Sequence, residues 1–210
     1  KFISPTSAYQ DVSGEVSVQL LTEGKIKESL LSSIGQTKTG DKIRLVMFYL
    51  AERDIIQSLI SAHQRGVEIE IILDPNKDAF GRTKAGLPNV PVAKELNKFN
   101  QAFKLRWCDT HGEQCHSKLT IVSIGNKTDL FIGSANLTKR NLGNYNLETD
   151  IKISGKSAEV SAIKQANDYF VALWNNQPNN YTVPYQKYED NSFLKTIKYR
   201  LMEKTGLCSF

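Results

Sequence analysis

The stretch from residue 41 to residue 74, DKIRLVMFYLAERDIIQSLISAHQRGVEIEIILD, decides the fold class. Residues 43–50 form an apolar run with the length and composition of a buried strand. Residues 52–65 then carry Ile55, Ile56, Leu59 and Ile60 on one helical face, and Gly66 stands where a helix stops. At 67–73 the period changes, with Val67, Ile69 and Ile71 alternating as in a strand before Ile72 and Leu73. A strand, a helix and a strand in so short a span predict a sheet covered by helices.

The neighbouring segments extend the same pattern. Residues 16–21 alternate as a strand, and 25–34 have helical spacing that ends at Gly35. After Asp74-Pro75 a long loop is expected to about residue 90, then a short helix at 92–99 and a strand at 103–107. That loop exceeds the usual connection length and leaves the carboxyl end of a strand, which points to binding. Phe80 and Leu87 are candidate walls of a substrate groove there. An apolar strand at 115–124 turns at Gly125-Asn126 into 130–132, followed by a strand at 147–153 and an amphipathic helix at 158–174. Residues 176–192 read as a loop toward a last helix at 193–202. Strands alternating with helices early and pairing as a hairpin late predict a mixed α/β sheet flanked by helices on both faces. One domain is expected over 1–210, with a core at about 15–175 and a C-terminal extension at 176–210.

Composition bounds function only loosely. The chain has 210 residues, 40% hydrophobic and 23% charged, with a net charge of +5. That charge suits an anionic partner, although a mildly basic solvated surface explains it as well. No apolar run approaches the roughly 20 residues that cross a bilayer. The chain opens on Lys1 rather than Met, so a segment is expected upstream. Cys108 and Cys115 flank a short loop; a disulfide between them is sterically possible, and reduced thiols are equally compatible. With His111 and His116 these cysteines also resemble a metal cluster, but the spacing fits no standard finger and no metal site is expected.

The chemistry concentrates in three short segments. His116 and Lys118 lie two apart in a strand, so one face carries an imidazole beside an ammonium. The first can serve as nucleophile, acid or base near neutral pH, and the second can hold a phosphate oxygen. Gly133-Ser134-Ala135-Asn136 follows, where Ser134 and Asn136 either bind an anion or cap a helix starting near Leu137. Lys139 and Arg140 either widen a phosphate field or are solvated at that helix start. Glu148 alternates with Asn146 and Asp150, which also fits an outward polar strand face.

Taken together, His116-Ser117-Lys118, Gly133-Ser134-Ala135-Asn136 and Glu148 resemble the signature of the phospholipase D superfamily, His-x-Lys-x4-Asp followed by Gly-Ser-x-Asn and a later Glu. AHQRGVEIEIILD at 62–74 resembles the element preceding the site in bacterial members. One position departs, since Ser123 stands where the motif has Asp. The resemblance implies a phospholipase D-like fold and a phosphodiesterase or phosphatidyltransferase without cofactor, working through a phosphohistidine. His116, Lys118, Asn136 and Glu148 would be its catalytic residues, with Glu148 orienting His116. Ser134, Lys139, Arg140 and Phe80 would contact substrate. The family's site needs two such motifs and this chain has one. It is therefore expected to be the C-terminal half of a bacterial two-motif, cardiolipin synthase-like protein, or to pair as a homodimer. A phospholipid is the expected substrate. A nucleic acid is the alternative, and a non-catalytic scaffold half is a third reading.

Overall fold

In the computed structural model, which describes residues 16–79, 82–83, 85–99, 103–190 and 192–205, the strand–helix–strand unit forms as its pattern dictates. β2 (Lys42–Met47) runs parallel to β3 (Glu68–Leu73), and α2 (Arg53–Gln64) crosses between them. Gly66 ends the crossover at φ 84°, a conformation open to glycine, with its N–H on the His63 carbonyl at 2.8 Å. Before this unit come β1 (Ser17–Thr22) and α1 (Gly24–Gly35). After it come β4 (Asp78–Ala79) and β5 (Arg82–Thr83), α3 (Asn89–Asn97), β6 (Phe103–Cys108), and the hairpin of β7 (Lys118–Ile124) and β8 (Lys127–Gly133). The chain continues through α4 (Lys139–Leu142), β9 (Thr149–Lys156), α5 (Ser161–Asn175), β10 (Thr182–Pro184), a 3-10 turn and α6 (Phe193–Thr205).

Eight strands form one mixed sheet in the order β1-β9-β8-β7-β2-β3-β6-β10. β2, β3 and β6 are parallel, while the remaining neighbours pair antiparallel. Helices cover both faces. Ile26, Leu30, Ile55, Leu59, Val92 and Tyr199, from α1, α2, α3 and α6, pack with Ile43, Leu45, Ile69 and Ile71 on one side. Val160, Ile163 and Phe170, at and within α5, pack with Val46, Ile72, Ile121 and Leu130 on the other.

Five features differ from the sequence expectation. The span after Asp74 is not a bare loop, because β4 and β5 form a small second sheet within it. α3 begins at Asn89, with Pro91 in its first turn where no backbone donor is needed. Residues 182–184 add an edge strand in the segment expected to be a loop, and Pro184 sits at the edge that tolerates it. β7 begins at Lys118 and β9 at Thr149, so His116 and Glu148 lie just outside their strands.

Candidate active site

His116 is fixed through its backbone neighbours. The Cys115 amide donates to Asp74 Oδ2 at 2.7 Å, and the Ser117 carbonyl accepts from the Phe48 amide at 2.9 Å. A disulfide ties Cys115 to Cys108 at the end of β6, so both thiols are committed and neither is free for a metal. Two buried asparagines organise the loops behind. Asn89 donates to the carbonyls of Phe48 and Asp74, each at 2.8 Å, and Asn76 donates to the Phe48 carbonyl at 3.0 Å. The Phe48 ring lies 4.7 Å from the imidazole, centroid to centroid.

The His–Lys pair survives the shorter strand. Lys118 Nζ lies 3.0 Å from both ring nitrogens of His116 and donates to the His116 carbonyl at 3.0 Å. It also sits 5.3 Å from the centre of the Phe48 ring. Burial, then the adjacent Lys118 charge, hold the imidazole pKa below its usual range. Burial likewise lowers the Lys118 ammonium, against the opposing pull of Glu148 and Asp150. Both effects favour the unprotonated imidazole, the form that can attack an electrophile.

The segment after β8 is pinned over the same end of the sheet. Leu137 donates to the Tyr49 carbonyl at 3.1 Å and accepts from Ala51 and Glu52 at 2.7 and 2.8 Å. The Ala135 amide donates to Asp150 Oδ1 at 3.1 Å. A side chain at Gly133 would collide with Asp150 and with the Thr149 carbonyl, so only glycine lets these backbones approach. Asn136 does not cap α4. Thr138 does, accepting from the Asn141 amide at 3.3 Å. The Asn136 side-chain oxygen is buried with no partner among the described residues. Such an atom costs about 1–3 kcal/mol, a penalty that ordinary packing avoids.

Other expected site residues are placed differently. Glu148 accepts from Ser134 Oγ at 2.5 Å and from Asn141 Nδ2, and makes no hydrogen bond to His116 in this chain. Lys139 gives its ammonium to the Lys204 carbonyl at 2.9 Å, and Arg140 donates to Asn146 Oδ1 at 3.1 Å. Phe80 lies outside the described residues. Leu87 is buried in the main core rather than lining a groove. Ser123, where the motif has Asp, joins a hydroxyl chain to Thr128 at 3.0 Å and on to Ser157 at 2.6 Å. His111 is exposed in its loop, and His63 packs beside Phe103.

This arrangement answers to a known family, whose sequence model, described as cardiolipin synthase, PLD-like domain, matches residues 30–174. The chain belongs to the phospholipase D-like family. Among solved structures, the fold resembles Nuc from Salmonella typhimurium, a phospholipase D family member, at 25% identity and TM-score 0.58 over 77% of this chain and 95% of that one. NucT from Helicobacter pylori matches at 20% identity and TM-score 0.59 over 77% and 97%. Phosphatidylserine synthase from Haemophilus influenzae matches at 13% identity and TM-score 0.63, over 91% of this chain and 46% of that one. No curated protein matches the chain.

Asp150 is a residue the sequence pattern misplaced in this phospholipase D-like domain. Alternation with Glu148 suggested an outward polar face, yet Asp150 is buried beneath the 134–137 segment. Burial, with the Glu148 charge adding to it, carries its carboxyl up to about 6 despite the Ala135 amide. Its folded pKa thus exceeds the ordinary value near 3.9, and the fold favours the protonated form. That stability is full below about pH 4 and is lost as pH rises through about 6. Asp150→Asn stays neutral, so its stability relative to the native chain should climb between pH 4 and pH 7, by on the order of 2 kcal/mol. Denaturant melts at several pH values measure this, and a pH-independent difference would contradict the assignment.

Proposed function

We propose that this domain supplies one pole of a phospholipase D-type centre that cleaves or transfers phospholipid phosphodiesters through a phosphohistidine. The observation that carries the reading is Lys118 Nζ 3.0 Å from the ring nitrogens of an exposed His116. An imidazole nitrogen attacks phosphorus, the P–N bond forms, and the bond to the leaving oxygen breaks. A second histidine protonates that oxygen. Water or an alcohol then attacks phosphorus, gives its proton to the second histidine, and displaces His116. Lys118 and Asn136 hold the non-bridging oxygens as negative charge develops. Glu148, through Ser134 and Asn141, keeps the 134–136 segment in place. A scaffold role fits poorly with an exposed imidazole and an aligned ammonium. No step in this scheme uses a metal.

The second histidine would come from another motif-bearing half, and we favour a second copy of this chain. One observation supports that choice. The sheet exposes Val18, Leu20, Ile132 and Ile151 on one face of β1, β9 and β8, with Ile132 paired in register to Leu119 beside Lys118. The phospholipid choice draws on the description of the matching family. The test is turnover of phosphatidylglycerol vesicles and of single-stranded DNA, side by side, with EDTA present. Lipid turnover with an acid-labile phosphoenzyme is the expected result. Turnover of DNA alone would replace the lipid reading with a nuclease, and dependence on added metal would remove the mechanism.

A further inference from the structure

The last helix presents an apolar stripe to solvent. In α6, Phe193 is 73% exposed, Leu194 77% and Ile197 42%. Leu201, also exposed, continues the row. At 100° per residue these four positions fall within an arc of about 100°. The opposite side of the helix is buried. Tyr199 donates its hydroxyl to the Ala51 carbonyl at 3.1 Å, and Glu203 accepts from the Lys139 amide at 3.3 Å. The stripe is therefore a second apolar face, on the side turned away from the core.

Cations edge it on both flanks. Lys198 lies on one side, Arg200, ion-paired with Glu95 at 2.9 Å, on the other, and Lys204 stands at the carboxyl end of the row itself, all three exposed. Long basic side chains beside an apolar stripe are the pattern of a helix lying in a bilayer surface, its apolar row among the acyl chains and its ammonium groups among the phosphates. A nucleic acid would leave Phe193 and Leu194 unused, since phosphate contacts need cations and not an aliphatic row. A second copy docked about a twofold axis would bring one cationic rim against another.

We propose that the outer face of α6 is a docking surface for an anionic lipid bilayer. Ala51 lies just beyond the carboxyl end of β2, and Lys139 lies three residues past Asn136. α6 thus packs toward the end of the sheet that carries His116. The docking itself does not depend on what the site cleaves.

The experiment is co-sedimentation of the full chain with phosphatidylcholine vesicles, with and without phosphatidylglycerol, before and after Leu194→Ser with Ile197→Ser. Both positions are exposed, so thermal melting should be unchanged. The native chain should bind the anionic vesicles, and the double variant should bind at least about tenfold more weakly. Lys198→Glu with Lys204→Glu should weaken binding to the anionic vesicles alone. Hydrolysis of the soluble diester bis(p-nitrophenyl) phosphate should be the same in the native chain and in all these variants, which reports on the site separately from docking. Equal sedimentation of native and variant chains would overturn the proposal. So would loss of self-association or of oligonucleotide binding in the stripe variant while vesicle binding persists.

Discussion

His116→Ala should lower phosphodiester turnover by about 10⁴-fold or more while leaving the fold intact, because in the proposed mechanism it removes the atom that bonds to phosphorus. The side chain is exposed and its contacts are the Lys118 ammonium and the Phe48 ring, so melting should move by no more than about 0.5 kcal/mol. Lys118→Met should cost less, about 10²–10³-fold in kcat, since it removes a charge that stabilises the transition state and leaves the nucleophile in place. It also removes a positive neighbour that depresses the imidazole pKa, so the acid limb of the pH–rate profile should move upward in that variant. A His116→Ala chain that retains near-native turnover would remove the phosphohistidine. A Lys118→Met profile that does not move would remove the electrostatic coupling between the two groups.

The strand–helix–strand unit at 41–74 is legible in the sequence because its periods are clean and its apolar residues are numerous. The three segments of the candidate site are legible because their residue types match a family pattern, and the structure gathers them at one end of the sheet. The features that escape do so for physical reasons. β10 has three residues and a proline, too few to show a period, and it is held by the sheet edge rather than by its own propensity. Alternation at 146, 148 and 150 tells which residues share a side of a strand but not which side is covered. The 134–137 segment folding over Asp150 is a tertiary event with no local signature. Asn76 and Asn89 read as ordinary loop asparagines, yet both are buried and carry the hydrogen bonds that set Phe48 and Asp74 behind His116. The orienting role expected of Glu148 is displaced for a related reason. Its carboxylate is already engaged by Ser134 and Asn141, so it shapes the 134–136 segment instead of the imidazole.

An isolated monomer of this chain should be inactive, and mixing experiments should reveal why. In-line displacement at phosphorus needs a nucleophile on one side and a proton donor on the other. His116 can fill one position. His63, packed beside Phe103, and His111, exposed in its loop, lack the lysine and asparagine that would make either a second pole. If two copies of His116 face each other across a twofold axis, one centre consumes both histidines, and a pair with one His116→Ala partner has none working. Activity of randomly exchanged mixtures should then follow the square of the native fraction. An equal mixture would retain about a quarter of the native rate, whereas independent sites would retain about half. Refolding the two chains together at several ratios, with mass in solution measured alongside turnover, separates the two laws. A linear dependence, or full turnover by a clean monomer, would end the two-pole argument and require a proton donor within the chain.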